Sequence, residues 1–363
     1  MTKRIFSLKS IAAVACCSFL LVISFISCKK DNNTGTPVPV VVIDKAALIA
    51  KVAEAQALLD GTVEGTRPGE YVIGSKSALQ SAVDAAKAII SDANATLSTV
   101  TNAIAQVQAA IDIYKTNLIA EIAAENLIGF WKMNGNANDS SGKAHNGTVT
   151  AGHPYFGSGI PTLTNDRFGR ANMCYHFDHG GNIEVPYTSA LNPQEMTISV
   201  WCKKDTAGRL LNSDTYTMVS LDRWLGYKYQ WQSANKLFFT VHAINGADTT
   251  FYDRDDEVAV LDNEVWYHAV VTFKPGEEDF YVNGDLVKTW TDVPGSPITV
   301  SSAINFVIGQ DLPTGYYLTT DPSGSRLVDY GGFWTGDLDD VMFYNVALSA
   351  AQVKSIYDNQ NTL

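Results

Sequence analysis

The first part of the chain, over residues 44–124, carries apolar residues at the spacing of helix turns. Three stripes recur at intervals of three and four residues, so each stripe occupies one face of a helix. Their members are Leu48, Val52, Ala55 and Leu59; Leu79, Val83, Ala86 and Ile90; and Val100, Ile104, Val107, Ile111, Tyr114 and Leu118. Helices with one apolar face bury it against each other, which predicts an all-α three-helix bundle. No polar cluster interrupts the stripes, so we expect this bundle to be a spacer.

From residue 127 the pattern changes to short runs rich in aromatic and β-branched residues, which is typical of strands. The clearest runs cover residues 127–133, 196–202, 236–241, 266–273 and 279–282. Asn283-Gly284 follows the last of these runs and is a strong signal for a two-residue hairpin turn. Many short strands joined by turns predict an all-β sandwich over residues 127–363.

Residues 336–357 predict a final strand followed at once by a short helix. Val341 and Phe343 alternate with residues of the opposite face, as side chains do along a strand. Ser349 precedes Gln352 by three residues, which is the capping box that begins a helix.

Residues 1–27 begin with basic residues and continue into an apolar run that is too short for an ordinary membrane span. This pattern predicts a signal peptide that is cleaved. The run ends at Ile26-Ser27-Cys28, which resembles a bacterial lipobox. The resemblance implies acylation of Cys28, a lipid anchor in the outer membrane and exposure at the cell surface; a chance cysteine in a secretory signal is the alternative. Residues 28–43 are polar and then rich in Pro and Val, which predicts a flexible tether.

The chain is acidic, and cleavage of the signal peptide would make it more acidic. Cleavage removes three basic residues and no acidic ones, so 26 Lys and Arg fall to 23 against 38 Asp and Glu, and the formal net charge changes from −12 to −15. Binding to phosphate backbones needs clustered Lys and Arg. The composition therefore argues against nucleic acid as a partner.

The mature chain would keep two cysteines besides Cys28, namely Cys174 and Cys202. Each lies in a predicted strand of the same domain. A disulfide needs Cα atoms less than about 7 Å apart, and the sequence does not give the distance between these two residues. A disulfide and two buried thiols are both open at this point.

Seven motifs between residues 127 and 359 follow the order expected of laminin-G-like domains. They are Asn138-Asp139-Ser140-Ser141-Gly142 with His145-Asn146-Gly147-Thr148, Tyr175-His176-Phe177-Asp178 with Ile183-Glu184-Val185-Pro186, Thr197-Ile198-Ser199-Val200-Trp201, Trp266-Tyr267-His268, Tyr281-Val282-Asn283-Gly284, Ile308-Gly309, and the segment from Gly336 to Leu348. This resemblance implies a concanavalin A-like jelly-roll sandwich. Gly69-Glu70-Tyr71 and Asn94-Ala95-Thr96 make the preceding bundle similar to FIVAR-type three-helix modules.

Laminin-G-like relatives often hold calcium where the loop after the first strand meets the closing strand. By resemblance, Asp139 and Asp339 would supply side-chain oxygens, and carbonyls near His145 or Asn146 would complete the shell. The alternative is that Asp139 caps the Ser-Ser-Gly turn and Asp339 is a solvated strand residue.

Two stretches offer the aromatic faces that sugar binding needs. In residues 223–232 we expect the alternating set Tyr227, Tyr229 and Trp231 to pack in the core, while Trp224 remains a candidate contact. Residues 311–333 form a long loop before the closing strand, and long loops are often functional. The exposed ligand contacts predicted there are Tyr316, Tyr317, Arg326 and Tyr330, whereas Trp334 matches a core aromatic of the family.

Some relatives of this fold are glycoside hydrolases that use a Glu-x-Asp-x-Glu strand. The nearest carboxylate groups here are Asp337-Leu338-Asp339-Asp340 and Glu277-Glu278-Asp279, and neither supplies an acid and nucleophile pair. His268 lies in an alternating strand and is expected to be structural. The sequence therefore favours a non-catalytic, lipid-anchored surface protein that binds carbohydrate; a protein-binding adhesin and a glycoside hydrolase are the alternatives.

Overall fold

The computed structural model describes residues 43–205, 215–258 and 260–362. The predicted signal peptide, the predicted lipidation site Cys28 and nearly all of the predicted tether lie outside these residues. In the part of the chain that is described, none of the helices combines the length and apolar character needed to cross a membrane.

Three helices form the predicted bundle: α1 (Ala46–Gly61), α2 (Ser75–Ser91) and α3 (Leu97–Thr116). The buried residues of each helix follow the predicted stripe, although Ile90 and Ile104 are only half-buried. Leu118 was predicted to be buried and is 40% exposed. The physical reason is that α3 ends at Thr116, so the helical period no longer applies and Ile119 takes the buried position.

The loop between α1 and α2 is fixed by two short parallel strands, β1 (Glu64–Gly65) and β2 (Tyr71–Val72). Tyr71 stacks on Tyr114 of α3 with ring centroids 4.3 Å apart and the ring planes nearly parallel. The stacked pair ties this loop to the bundle.

The rest of the described chain forms two eight-stranded antiparallel sheets, which confirms the all-β sandwich. Sheet A contains, in spatial order, β12 (Asp248–Asp255), β11 (Lys236–Asn245), β10 (Tyr227–Gln232), β9 (Tyr216–Leu221), β17 (Phe306–Ile308), β7 (Asn182–Val185) and β4 (Thr148–Thr150), with β16 (Ser296–Pro297) paired to β11. Sheet B contains β15 (Asp285–Trp290), β14 (Glu277–Val282), β13 (Trp266–Lys274), β8 (Met196–Lys204), β18 (Gly336–Tyr344), β6 (Cys174–Phe177) and β5 (Thr162–Thr164), with β3 (Leu127–Trp131) paired to β18.

The main core lies between the inner faces of these sheets and is rich in large aromatic side chains. Tyr227, Tyr229 and Trp231 all point into it and are fully buried, so the packing interpretation of these alternating residues is confirmed. Trp334 is also buried, as predicted, and meets Trp231 edge to face with centroids 5.7 Å apart. Edge-to-face contacts of this kind favour one arrangement of the core.

The closing segment has the predicted form, and its strand is central to sheet B. β18 pairs with β8 on one side and with β6 and β3 on the other. Helix α4 (Ala350–Gln360) begins at the predicted capping box of Ser349 and Gln352. The predicted hairpin also forms, because Asn283 and Gly284 have φ values of 52° and 83° and join β14 to β15.

The helical bundle is hydrogen-bonded to α4. The backbone oxygen of Thr66 accepts from Ser355 Oγ at 2.6 Å and from Asn359 Nδ2 at 3.0 Å. Gln352 Nε2 donates to the backbone oxygen of Ala120 at 3.2 Å, at the other side of this contact. The bundle therefore has defined polar contacts with the sandwich domain.

Cys174 and Cys202 are both buried and not bonded to each other. Their strands, β6 and β8, lie on opposite sides of β18, and Leu338 pairs with Tyr175 on one side and Cys202 on the other. Two strand spacings place the two strands roughly 9–10 Å apart, which is too far for a disulfide. The structure thus excludes the disulfide and shows Cys174 and Cys202 as two buried thiols.

Glu278 of β14 generates a prediction about stability. Its side chain is fully buried, and neither carboxylate oxygen has a hydrogen-bond partner among the described residues. Burial raises its pKa well above the usual carboxyl range, so the folded protein retains this proton. The stabilising contribution of the proton is full below the ordinary carboxyl pKa and is lost as the pH rises towards the raised value. Between the ordinary carboxyl pKa and the raised value, the free energy of unfolding of wild type should fall by up to about 1.4 kcal/mol per pH unit relative to that of Glu278→Gln.

Urea unfolding at several pH values between 4 and 8 measures this difference. Glu277→Gln is the matched control, because Glu277 is half-buried and pairs with Lys274 at 2.7 Å. Parallel stability curves for wild type and Glu278→Gln would contradict the prediction.

Candidate ligand-binding site

The outer face of sheet A carries polar side chains from the strand whose inner face fills the core. Because side chains alternate along β10, burial of Tyr229 and Trp231 places Gln230 and Gln232 on the opposite face. Register then sets their neighbours, since Gln230 pairs with Phe238 and Lys228 with Thr240. The core packing of one strand therefore fixes the chemistry of the outer surface.

These outer residues line an open cleft of about 400 Å³. Residues from β10, β11 and β12 and from the segments flanking β9 line it: Thr215, Trp224, Lys228, Gln230, Gln232, Phe238, Thr240, Phe251 and Asp253. We call this feature the sheet A cleft. Its volume lies within the range of small-molecule sites.

The walls of the sheet A cleft are aromatic. Trp224 and Phe238 are half-buried, and Phe251 is exposed. His242 stacks on Phe251 with ring centroids 4.1 Å apart, which holds the Phe251 ring in place. Flat apolar faces of this kind match the apolar face of a sugar ring or another planar ligand.

The base of the cleft carries polar groups that have few protein partners. Lys228 is 9% exposed, and no described residue forms a hydrogen bond or ion pair with its ammonium group. Its Nζ lies 5.8 Å from the centre of the Trp224 ring, and burial lowers its pKa. Gln230 is 1% exposed, and its Oε1 has no hydrogen-bond partner.

Asp253 supplies the one carboxylate among the described lining residues. It accepts a hydrogen bond from Thr240 Oγ1 at 2.7 Å across the β11–β12 pair. The cleft thus combines a cation, an amide acceptor, a carboxylate and aromatic walls.

A buried ion pair positions the edge of the cleft. Arg223 is fully buried, and its Nε donates to Asp311 Oδ2 at 2.9 Å. Its guanidinium also donates to the backbone oxygens of Ser325 and Leu327 at 3.1 and 3.3 Å. Because Trp224 follows Arg223 in the chain, this network fixes the Trp224 backbone against residues 311–333.

The structure brings two of the predicted contact residues together. Trp224 and Tyr330 lie with ring centroids 5.9 Å apart, and Tyr330 is 55% exposed. Tyr316 is half-buried beneath the Arg326 guanidinium, 4.6 Å from its ring centre, and its backbone oxygen accepts from Arg326 Nε at 2.8 Å. Of the predicted contact residues only Trp224 is among the described residues that line the sheet A cleft, and Tyr316, Arg326 and Tyr330 lie outside it.

The prediction that Tyr317 is an exposed contact is wrong, because its side chain is only 4% exposed. It packs in a small second core with Phe156, Leu312, Val328 and Phe333. Its hydroxyl donates to Asp311, which already pairs with Arg223. The long loop therefore has a core of its own, and a polar buried partner draws Tyr317 inward.

Four lining residues were not predicted from the sequence as candidate contacts, namely Lys228, Gln230, Phe238 and Phe251. The alternation of residues 227–232 contained the signal for the first two, because an aromatic inner face implies a polar outer face. Phe238 and Phe251 join them only through strand pairing, which the pattern of one strand does not give.

The residues predicted to bind calcium have other partners. The Asp139 carboxylate accepts from the backbone amides of Phe130, Ser141 and His145 at 2.8–3.0 Å, and these bonds lower its pKa. Asn146 Oδ1 accepts from the Asp139 amide at 3.0 Å. Asp339 pairs with Arg167 at 2.7 Å, so a guanidinium already contacts this carboxylate.

Across residues 43–205, 215–258 and 260–362, no group of three His, Cys, Asp or Glu side chains is arranged to hold a metal ion. The turn and ion-pair contacts of Asp139 and Asp339 do not fit a calcium shell in this arrangement. Calcium binding stays a prediction from the resemblance.

Asp337, another carboxylate considered for catalysis, is also held in an ion pair. Asp337 accepts from Lys203 Nζ at 2.5 Å and from His176 Nδ1 at 2.8 Å, and this contact raises the pKa of His176. Burial and the neighbouring Asp340 carboxylate raise the pKa of Asp339 to about 8. His268 is structural, as expected: its Nε2 lies 2.8 Å from Ser199 Oγ, and burial lowers its pKa to about 3.

Two antiparallel sheets around an aromatic core, with an open cleft on one outer face, define a jelly-roll sandwich. Residues 177–354 match the family model of the concanavalin A-like lectin/glucanases superfamily, and residues 44–113 match that of the FIVAR domain. The chain therefore contains a concanavalin A-like lectin/glucanase domain preceded by a FIVAR domain. No curated protein matches the chain.

Solved structures with a similar fold share little sequence with this chain. Domain 4 of an extracellular arabinanase from Geobacillus stearothermophilus, in complex with arabinotriose, is 17% identical with a TM-score of 0.46, over 64% of this chain and 98% of that one. The binding domain of Paraclostridial Mosquitocidal Protein 1 is 16% identical with a TM-score of 0.45, over 65% of this chain and 53% of that one. The binding domain of a botulinum neurotoxin in complex with rat synaptotagmin II is 15% identical with a TM-score of 0.43, over 66% and 52%. The chain thus spans about half the length of these toxin domains.

The ion pair that positions the cleft edge yields a stability prediction. Asp311→Ala leaves the Arg223 guanidinium buried without its carboxylate, which should lower the free energy of unfolding by about 3–5 kcal/mol. Asp292→Ala is the control, because the Asp292 side chain is 64% exposed and its pair with Arg254 should contribute less than about 1 kcal/mol. Chemical denaturation of both variants measures the difference, and equal losses would contradict a special role for the buried pair.

Proposed function

We propose that this protein is a non-catalytic carbohydrate-binding protein and that its ligand binds in the sheet A cleft. Aromatic walls line the same cleft as a carboxylate, two amides and an ammonium group that has no ion-pair partner among the described residues, and this observation carries the proposal. The family match supports it, because residues 177–354 include every lining residue of the cleft and the superfamily includes lectins.

The lining suits the two kinds of surface that a sugar presents. Trp224, Phe238 and Phe251 offer apolar area for the C–H face of a ring. Asp253 can accept hydrogen bonds from hydroxyl groups, and Gln230 and Gln232 add two amides to the lining. Buried polar groups that lack protein partners gain most from a ligand that supplies them.

The arrangement of carboxylates supports binding without hydrolysis. Glycosidases usually place two carboxyl groups on either side of the scissile bond, about 5–10 Å apart. Among the described lining residues the sheet A cleft has Asp253 alone. Asp337 and Asp339, the nearest match to a catalytic strand, are engaged by Lys203 and Arg167 in sheet B.

Trp224 provides the test. Trp224→Ala removes the aromatic wall beside Lys228 and should weaken retention on a bound polysaccharide at least about tenfold, a loss of about 1.4 kcal/mol. Trp266→Ala is the matched control, because Trp266 is half-buried at the start of β13 in the other sheet. Affinity gel electrophoresis with neutral and acidic polysaccharides measures retention.

Retention of wild type and Trp266→Ala with loss in Trp224→Ala supports the proposal. Failure of wild type to bind any polysaccharide, or equal binding by both variants, overturns it. Release of reducing sugar from a retained polysaccharide would contradict the non-catalytic assignment.

We also propose an organisation in which residues 1–27 are a signal peptide, residues 28–43 a tether, residues 44–124 a helical spacer and residues 127–363 the binding domain. The acylated Cys28 would anchor the protein in the outer membrane with the binding domain at the cell surface. This proposal is supported by the sequence pattern of residues 1–43.

Metabolic labelling tests the anchor. Wild type should incorporate labelled palmitate. Cys28→Ala should lose all of the label because it lacks the thiol at the predicted lipidation site. Cys17→Ala, within the predicted signal peptide, should keep it. Label that persists in Cys28→Ala would contradict acylation at this position.

A further inference from the structure

Lys228 is the least explained group in the sheet A cleft. It lies on the outer face of β10, is 9% exposed, and forms no ion pair with a described carboxylate. Asp253 lies on the same lining but is bonded to Thr240, and the nearby Asp311 is bonded to Arg223. Neither carboxylate lies within ion-pair distance of the Lys228 ammonium group, which lines the cleft.

We propose that the sheet A cleft takes an anionic saccharide, in which a sugar carboxylate or sulfate group pairs with Lys228. This inference rests on the proposed carbohydrate-binding function and deepens it by naming the class of sugar.

Covering the Lys228 ammonium group with a ligand has a desolvation cost. A ligand that fills the cleft removes water from an ammonium group that is already nearly buried, and an unpaired buried charge is strongly unfavourable. A neutral sugar offers only hydroxyl dipoles in compensation. A carboxylate or sulfate supplies the missing negative charge and charge-assisted hydrogen bonds.

The groups around Lys228 fit the remainder of such a sugar. Gln230 lies two residues along the same strand face, about 6.5 Å away, which is near the span of one sugar ring. Its side chain lines the cleft and places an amide beside the ring. The Trp224 ring, 5.8 Å from Lys228 Nζ, would cover the apolar face of the same ring.

The net charge of the protein makes this interaction selective. With a formal net charge of −12 the chain as a whole repels polyanions, so their retention requires a local cationic site. Affinity for an anionic polymer would thus report on the cleft and not on the general surface.

Matched pairs of polymers test the inference with the purified protein. Polygalacturonate against its methyl ester forms the carboxylate arm, and dextran sulfate against dextran forms the sulfate arm. We expect retention at least about tenfold stronger for the charged member of one pair, and the arm that shows it identifies the anion. Lys228→Gln, which keeps hydrogen bonding but loses the charge, should abolish that preference.

Lys143→Gln is the matched control, because Lys143 is exposed on a loop outside the cleft. Thermal melting of each variant establishes that it is folded. Equal retention of charged and neutral members, or unchanged binding by Lys228→Gln, overturns the anionic inference. If Trp224→Ala still loses binding in that case, the proposed function survives without it; if wild type retains no polymer, both fail.

Discussion

The alternation of side chains along β10 is the constraint on which the rest of the site depends. Tyr227, Tyr229 and Trp231 must point inward because they fill the space between the sheets. Lys228 and Gln230 are then forced outward at fixed positions. A slip of one residue would place an ammonium in the aromatic core and three aromatic rings in solvent. The energy that holds the core therefore also holds the cleft in register.

A second, polar constraint determines where the edge of the cleft lies. Arg223 reaches a carboxylate and two backbone oxygens of the 311–333 segment, so two regions distant in sequence form one unit. A buried charge holds its partners at fixed positions, because displacement of either partner leaves a charged group buried without compensation. The position of Trp224 beside Tyr330 follows from this constraint. Hydrophobic packing thus orients the base of the cleft, and a charge network orients its edge.

The sequence predicted elements whose residues follow one helical or strand period. It did not predict features that depend on contacts between residues far apart in the chain. The helical stripes and the closing strand and helix follow from local spacing, as does the Asn283-Gly284 hairpin. Tyr317 was misplaced because composition does not show that Asp311 would bind its hydroxyl in a small separate core. The cleft was not predicted because Phe238 and Phe251 meet Gln230 and Trp224 only after three strands pair. Strand register is a property of the whole sheet.

The central place of β18 has a consequence for how the protein is made. Among the described strands of the sandwich β18 is the last to be synthesised, yet it lies between β8 and the pair β6 and β3. Until it arrives, sheet B exists as two separate parts with open edges and an uncovered inner face. The helical bundle can fold early, since its contacts are local, but the sandwich must wait for its final residues. During synthesis there is thus an interval in which the aromatic inner face and the unpaired strands of sheet B need protection from aggregation.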